Sequence, residues 1–175
     1  MIVSPGTTRR PHGFTLFELL IVLVILGLLA GLAVLSVGSS ASRQMEEEAQ
    51  RLVELARLAR DEALLTGQVR ALGFSQDGYA FLQQVLLDEE RLTWVPLERS
   101  PLEPRSVAGR GLELRLRQEG RRVPLEERVD RPHVRFNGAG ELTPFELEIH
   151  QTRGAQAVLR VIGERDGRLL QERAQ

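Results

Sequence analysis

Gly13-Phe14-Thr15-Leu16-Phe17-Glu18 places a carboxylate near the start of an otherwise unbroken apolar run, Phe14 to Val37. That run is 24 residues long. As a helix it would measure about 36 Å, enough to cross a bilayer. A lone charge inside such a span costs about 2.5–3.5 kcal/mol at the centre and less near an end. A residue of that kind persists with a partner and a job, so Glu18 calls for both.

The residues upstream suggest the job. Met1 to Gly13 is short and polar, carries Arg9 and Arg10, and ends in a small residue. A secretory signal peptide is cut after its apolar region, near an Ala-x-Ala-like triplet. Here the small residue comes first. Cutting after Gly13 would leave the hydrophobic helix on the product and create a new amino group at Phe14. That charged amine is a natural partner for Glu18 on a neighbouring copy or a related subunit. The pair would compensate a desolvated carboxylate and set the stagger of two parallel helices. Arg9 and Arg10 put the N-terminus on the cytoplasmic side. The bulk of the chain then lies across the membrane, in the periplasm where the host has two membranes.

Arg9-Arg10-Pro11-His12-Gly13-Phe14-Thr15-Leu16-Phe17-Glu18-Leu19-Leu20 resembles the signature of type IV pilins and pseudopilins. The resemblance implies a prepilin peptidase that cuts between Gly13 and Phe14 and methylates the Phe14 amine. It also implies that Glu18 guides the subunit into a helical filament. A C-terminal disulfide loop is common among type IV pilins; this chain has no Cys, which leans toward the pseudopilins.

At 175 residues, one folded domain is expected beyond the anchor. Without Cys there is no disulfide, thiolate nucleophile or cysteine metal site. The formal charge of −1 gives no global attraction to nucleic acid. His12 falls in the leader, and His133 and His150 sit alone on expected strands, away from metal-ligand spacing. Glu89-Glu90 and Glu126-Glu127 are adjacent, so on a strand they would face opposite ways and form no acid–base dyad. Ser39, Ser40 and Ser42 have no nearby base. No Gly-x-Ser-x-Gly elbow and no Gly-x-x-x-x-Gly-Lys loop occurs. No catalytic residue, cofactor or metal is therefore expected. Calcium serves some relatives of the resembled family, but no Asp-rich loop stands here.

Four segments follow: a cleaved leader 1–13, a transmembrane helix half 14–37, an amphipathic periplasmic half 38–67, and a β domain 68–175. Gly27 and Gly31 have the small-xxx-small spacing that permits close helix approach. Gly38-Ser39-Ser40-Ala41-Ser42 could hinge the helix or lower its stability. Met45, Ala49, Leu52, Ala56, Ala59 and Ala63 then draw one apolar stripe, and Leu55, Leu58 and Leu65 are expected to widen it. Glu46, Glu47, Glu48, Arg51, Glu54, Arg57, Arg60, Asp61 and Glu62 form the opposite face, expected to be solvated. The alanines imply a sheet packed closely on the helix, and Gly67 is a C-cap candidate.

From Gln68 the pattern has period two. Val69–Phe74 and Tyr79–Leu82 flank the hairpin signal Ser75-Gln76-Asp77-Gly78. Arg91–Leu97, Leu112–Arg117, Val134–Phe136, Phe145–His150, Ala157–Ile162 and Arg168–Gln171 are further strands, and Ser100–Gly111 is a loop. These predict an α+β fold: a long N-terminal helix packed on an antiparallel β domain of six to eight strands.

Arg60-Asp61-Glu62-Ala63-Leu64-Leu65-Thr66-Gly67, Gly73-Phe74, Gly78-Tyr79-Ala80-Phe81, Leu92-Thr93-Trp94-Val95-Pro96-Leu97 and the run Val134 to Phe145 look like the minor pseudopilin H family of type II secretion. That resemblance implies two antiparallel sheets and a place near the tip of a short periplasmic pseudopilus. It implies partners among the other minor pseudopilins and the major one, on an inner-membrane platform, aiding export of folded proteins across the outer membrane. The alternative is a minor pilin of a type IV pilus or DNA-uptake machine. Arg99 to Arg135 holds ten Arg against five Glu and one Asp, a surplus of four that could meet phosphates. The acids interleaved there and the scarcity of aromatics argue against nucleic acid as a partner.

Overall fold

The structure, a computed structural model, describes the backbone of residues 16–88, 91–129, 131–152 and 158–174, with their side chains apart from those of 29–41, 88 and 174. Two compact units are present, Met1–Val37 and Gly38–Gln175. One helix, α1, runs from Leu16 to Thr66. The backbone of residues 38–42 is helical, so Gly38–Ser42 forms no break. Proline is absent from this stretch, and the helix ends where Gly67 takes the left-handed conformation at φ +67°. The Thr66 hydroxyl donates to the Glu62 carbonyl at 2.7 Å and closes the last turn.

In the first unit, the side chains of residues 16–28 are all exposed. Among the described residues no helix is long and apolar enough to cross a membrane. Of the expected span 14–37, residues 14 and 15 and the side chains of 29–37 lie outside the described residues.

The second unit has its own core. Met45, Ala49, Leu52, Ala56, Ala59 and Ala63 are each at most 2% exposed. The four alanines leave room for the sheets against the helix, and Met45 and Leu52 fill the core between them. Leu55 joins the stripe, but Leu58 and Leu65 do not: they are 37% and 87% exposed. At about 100° per residue both fall on the side opposite the alanines.

The first sheet contains β1 (Arg70–Ser75), β2 (Gly78–Asp88), β3 (Arg91–Pro96), the two-residue β4 (Arg105–Ser106) and β7 (Val134–Phe136), in the order β3-β2-β1-β7 with β4 also on β2. The second contains β5 (Leu112–Gln118), β6 (Arg121–Val123), β8 (Phe145–Gln151), β9 (Val158–Gly163) and β10 (Leu169–Ala174), in the order β10-β9-β8-β5-β6. All pairings are antiparallel. Leu72, Phe74, Tyr79, Phe81, Val134 and Phe136 from the first sheet meet Leu112, Leu114, Leu116, Leu147, Ile149, Leu159 and Val161 from the second in one buried cluster with the helix.

Close approach demands glycine at Gly163 and Gly78, among others. A Cβ at Gly163 would lie 2.3 Å from the Phe145 ring, and one at Gly78 would lie 2.2 Å from the Arg105 carbonyl oxygen. They let β9 pass over Phe145 and β4 close on β2.

The ten strands described exceed the expected six to eight. β4 hides in the Pro- and Arg-rich stretch read as a loop, which also holds a 3-10 turn at Ala108–Arg110. β6 is a short edge strand, Arg-Arg-Val, joined to β5 through Glu119 and Gly120 at φ 50° and 75°. β2 runs to Asp88, six residues past Leu82, because Gln83-Gln84 interrupts its apolar alternation without ending its pairing with β3.

Candidate functional site

Glu18 stands in the first turn of α1, on an exposed stretch of leucine, isoleucine and valine. Gly13 and Phe14, the expected cleavage and methylation positions, lie outside the described residues, as do His12 and Glu89-Glu90.

Thirty residues further along α1 lies a second carboxylate of different standing. Glu48 was expected on the solvated face, yet it is 1% exposed. It sits on the flank of the alanine stripe, where the end of the first sheet closes over it. The Arg105 guanidinium donates to both of its oxygens, from Nε at 2.6 Å and from Nη2 at 2.9 Å. The Tyr79 hydroxyl donates to Oε1 at 2.8 Å, and Arg110 Nη1 stands 3.5 Å from Oε2. Burial alone would raise the Glu48 carboxyl, but the hydrogen bonds from Arg105 and Tyr79 and the charges of Arg105 and Arg110 outweigh it and hold the group below its ordinary value. The Tyr79 hydroxyl is pushed far above its ordinary value by burial and by the Glu48 charge beside it. The cluster ties the helix to β2 and β4.

Further polar ties follow the helix. Glu62 meets Arg99 at 2.6 Å and Arg70 at 3.4 Å. Arg60 donates to the Gly167 carbonyl at 2.8 Å and Arg57 to the Leu169 carbonyl at 3.4 Å, while Arg173 pairs with Glu46. Much of the Arg-rich stretch 99–135 is thereby engaged within the subunit: Arg99 with Glu62, Arg105 and Arg110 with Glu48, Arg115 with Glu113, and Arg117 with the Gly120 carbonyl.

The outward faces of the two sheets differ. On the second, Arg115, Glu148, Arg160 and Glu172 stand in one cross-strand row of alternating sign. Beside it Arg160 lies 3.2 Å from Glu146, and His150 lies 3.0 Å from Glu148. Opposite charges thus face one another across β5, β8, β9 and β10. On the first sheet, Ala71, Ala80 and Leu82 form a small apolar cluster with Trp94 and Val129. The same face continues along the β2–β3 hairpin to Leu86 and Leu92, which stand opposite each other and are each 61% exposed. Arg135 lies over the Trp94 ring, 5.8 Å from its centre.

The histidines are placed apart. His133 Nδ1 accepts from the Phe74 N–H at 3.0 Å, just ahead of β7, and His150 is on β8. Among the described residues no group of three or more His, Asp or Glu could hold a metal ion.

A helix whose alanine face packs against two antiparallel sheets, extended at its N-terminus by an apolar stretch, defines a pilin-like protein. Residues 48–167 match the family described as Type II transport protein GspH, and residues 8–41 match the prokaryotic N-terminal methylation motif. The chain is 36% identical to the Type II secretion system protein H of Pseudomonas aeruginosa over 147 residues, 81% of this chain and 84% of that one. Its fold resembles the minor pseudopilin EpsH from the Type 2 secretion system of Vibrio cholerae (TM-score 0.59, 21% identity, 74% of this chain and 97% of that one). It also resembles the solution structure of E. coli GspH (TM-score 0.54, 22% identity, 77% and 89%). The chain belongs to the GspH family of type II secretion pseudopilins.

Sequence reasoning singled out Glu18 and missed Glu48. The signal for Glu48 was present but weak: in Glu46-Glu47-Glu48 it falls nearest the apolar stripe in helical projection.

Proposed function

We propose that this chain is a minor pseudopilin placed near the tip of the type II secretion pseudopilus, where it aids export of folded proteins across the outer membrane. A prepilin peptidase cuts between Gly13 and Phe14 and methylates the Phe14 amine. The apolar half of α1 holds the unassembled subunit in the inner membrane as a single pass, N-terminus in the cytoplasm and β domain in the periplasm. On extraction, neighbouring apolar helices replace lipid around it. Glu18 and the Phe14 amine of an adjoining subunit then set the register. Its partners are the other minor pseudopilins, the major one and the inner-membrane platform of the machine. No bond-breaking step is assigned to this chain.

The observation that carries the reading is the division of labour along one helix. From Met45 to Ala63 the apolar stripe is covered by the subunit's own β domain, whereas the described side chains of Leu16–Leu28 are exposed and apolar apart from Glu18 and Gly27. The N-terminal methylation motif over residues 8–41 supports it from the sequence side. Mass spectrometry of the chain isolated from membranes of its host tests it. A start at N-methylated Phe14 is expected, and Gly13→Val should accumulate with its leader attached. An unmodified start at Met1 in the wild type would overturn the reading.

A further inference from the structure

The strands at the ends of the two sheets differ in what their outer edges meet. On β10, Arg57 donates to the Leu169 carbonyl and Arg173 pairs with Glu46 of α1. On β7, Thr143 engages both backbone groups of Arg135. Its N–H donates to the Arg135 carbonyl at 3.1 Å, and its hydroxyl accepts from the Arg135 N–H at 3.2 Å. β6 is only three residues long, and two of them are arginines. Cover, charge and short length are the usual protections of a sheet edge. β3 carries such guards only at its ends, Arg91 and Pro96. The stretch between them, Leu92-Thr93-Trp94-Val95, is apolar or β-branched throughout.

The phase of the ladder decides which backbone groups face outward. The Leu97 N–H donates to the Phe81 carbonyl at 2.8 Å, one step beyond the Pro96–Leu82 pair. Backbone groups alternate sides along an antiparallel strand. Those of Val95 and Thr93 therefore also turn toward β2, and those of Leu92, Trp94 and Pro96 turn away. Among the described residues nothing hydrogen-bonds to the outward groups of Leu92 and Trp94. Pro96, which has no N–H, sits in the same outward phase, where β2 loses nothing by it. Trp94 packs with Ala71, Ala80 and Leu82 beneath Arg135, so its bulk leans over the sheet and away from the edge. β1 pairs with β2 only as far as Gln83. The rest of the hairpin is a two-stranded ribbon, an arrangement that is marginal in water and gains from a third strand.

We propose that β3 accepts a short extended segment of a neighbouring pseudopilin, different from this chain, as an added strand hydrogen-bonded to Leu92 and Trp94. Strand addition draws affinity from main-chain hydrogen bonds and specificity from alternate side chains. The guards at Arg91 and Pro96 limit the segment to about four residues. It is apolar where it stands beside Leu92, which is 61% exposed next to Leu86. A second copy of this chain does not fit the edge. Its β10 and β7 edges are occupied, and its β3 could meet β3 only as a self-complementary pair. Such a pair closes on itself, whereas the members of a filament repeat without closing. This rests on the reading that the chain joins a filament of other pseudopilins, and adds where one of them binds.

Full-length chain carrying photoreactive benzoylphenylalanine in place of Pro96 is coexpressed with each tagged sister pseudopilin of its host in turn. The membranes are irradiated and the products mapped by mass spectrometry. A cross-link to one sister is expected, confined to one extended segment of it. The same probe in place of Glu148, on the outward face of the second sheet, should not mark that segment. Adding Leu92→Pro removes an outward N–H and should lower the cross-link about tenfold, whereas Leu92→Ala keeps the N–H and should lower it less. The urea midpoint of Leu92→Pro, read by Trp94 fluorescence, should stay near that of wild type, because β2 does not use that N–H. Cross-linking only to a second copy of this chain, equal marking from Glu148, equal losses from the two Leu92 variants, or a large shift of the midpoint would each overturn the strand addition. The N-terminal residue is read in the same sample. Chain starting at Phe14 with no cross-link to any sister sinks the strand addition alone, whereas an uncut start at Met1 sinks the functional reading.

Discussion

Glu18 and Glu48 are two carboxylates on one helix with opposite circumstances. Glu48 is enclosed by its own subunit and accepts hydrogen bonds from Nε and Nη2 of Arg105 and from the Tyr79 hydroxyl. Glu18 stands in the first turn of α1, on a stretch in which the described side chains are all exposed. One carboxylate completes the fold of the second unit, and the other is the residue proposed above to guide assembly. The difference teaches that burial, not residue type, decides what a carboxylate on this helix does: one is enclosed by the β side of the subunit, and the other lies on an exposed apolar stretch.

The comparison breaks most readily at Glu48. Glu48→Ala should cost about 3–5 kcal/mol, since it strands the Arg105 guanidinium beside a buried hydroxyl. Urea unfolding of the detergent-solubilised chain, followed by the fluorescence of its sole tryptophan, Trp94, reads this directly; an unchanged midpoint would mean that the cluster is idle. Tyr79→Phe removes one hydrogen bond to a charged acceptor and should cost about 1.5–3 kcal/mol by the same measurement.

Acid provides a subtler test. The folded-state pKa of Glu48 lies below the ordinary 4.5, so its contribution is complete above that value and is lost as pH falls through the folded pKa. Wild-type stability should therefore decline below about pH 4.5 more steeply than that of Glu48→Gln, which has no proton to gain there. Parallel pH profiles would remove Glu48 from the account.

The smallest effect on stability is expected at Glu18. Glu18→Val should leave the unfolding midpoint within about 0.5 kcal/mol of wild type. It should nevertheless lower recovery of the subunit in sheared pseudopili while membrane insertion is retained. A shifted midpoint, or normal recovery in the filament, would erase the contrast with Glu48.

Much of this was legible from local pattern. An acid within an apolar run stands out because the surrounding residues make it costly, and the Met45–Ala63 stripe follows from helical geometry alone. The hairpin at Ser75–Gly78 announces itself through Asp-Gly. Glu48 was illegible for the converse reason: among Glu46, Glu47 and Glu48 an acid looks ordinary. Leu58 and Leu65 misled because leucine suggests burial whatever its angle around the helix. β4 and β6 escaped because two- and three-residue polar strands carry no periodicity.

From its sequence alone this protein's helix, its alternating strands and its family membership follow, because all three are written in short spacings along the chain. Tertiary structure alone decided which glutamate is enclosed and which leucines are left outside. It also decided that β1 pairs with β7 and β5 with β8 across long stretches of intervening chain. Those outcomes depend on which distant groups arrive at the same place. Arg105 reaches Glu48 from 57 residues away, a separation that no local periodicity encodes.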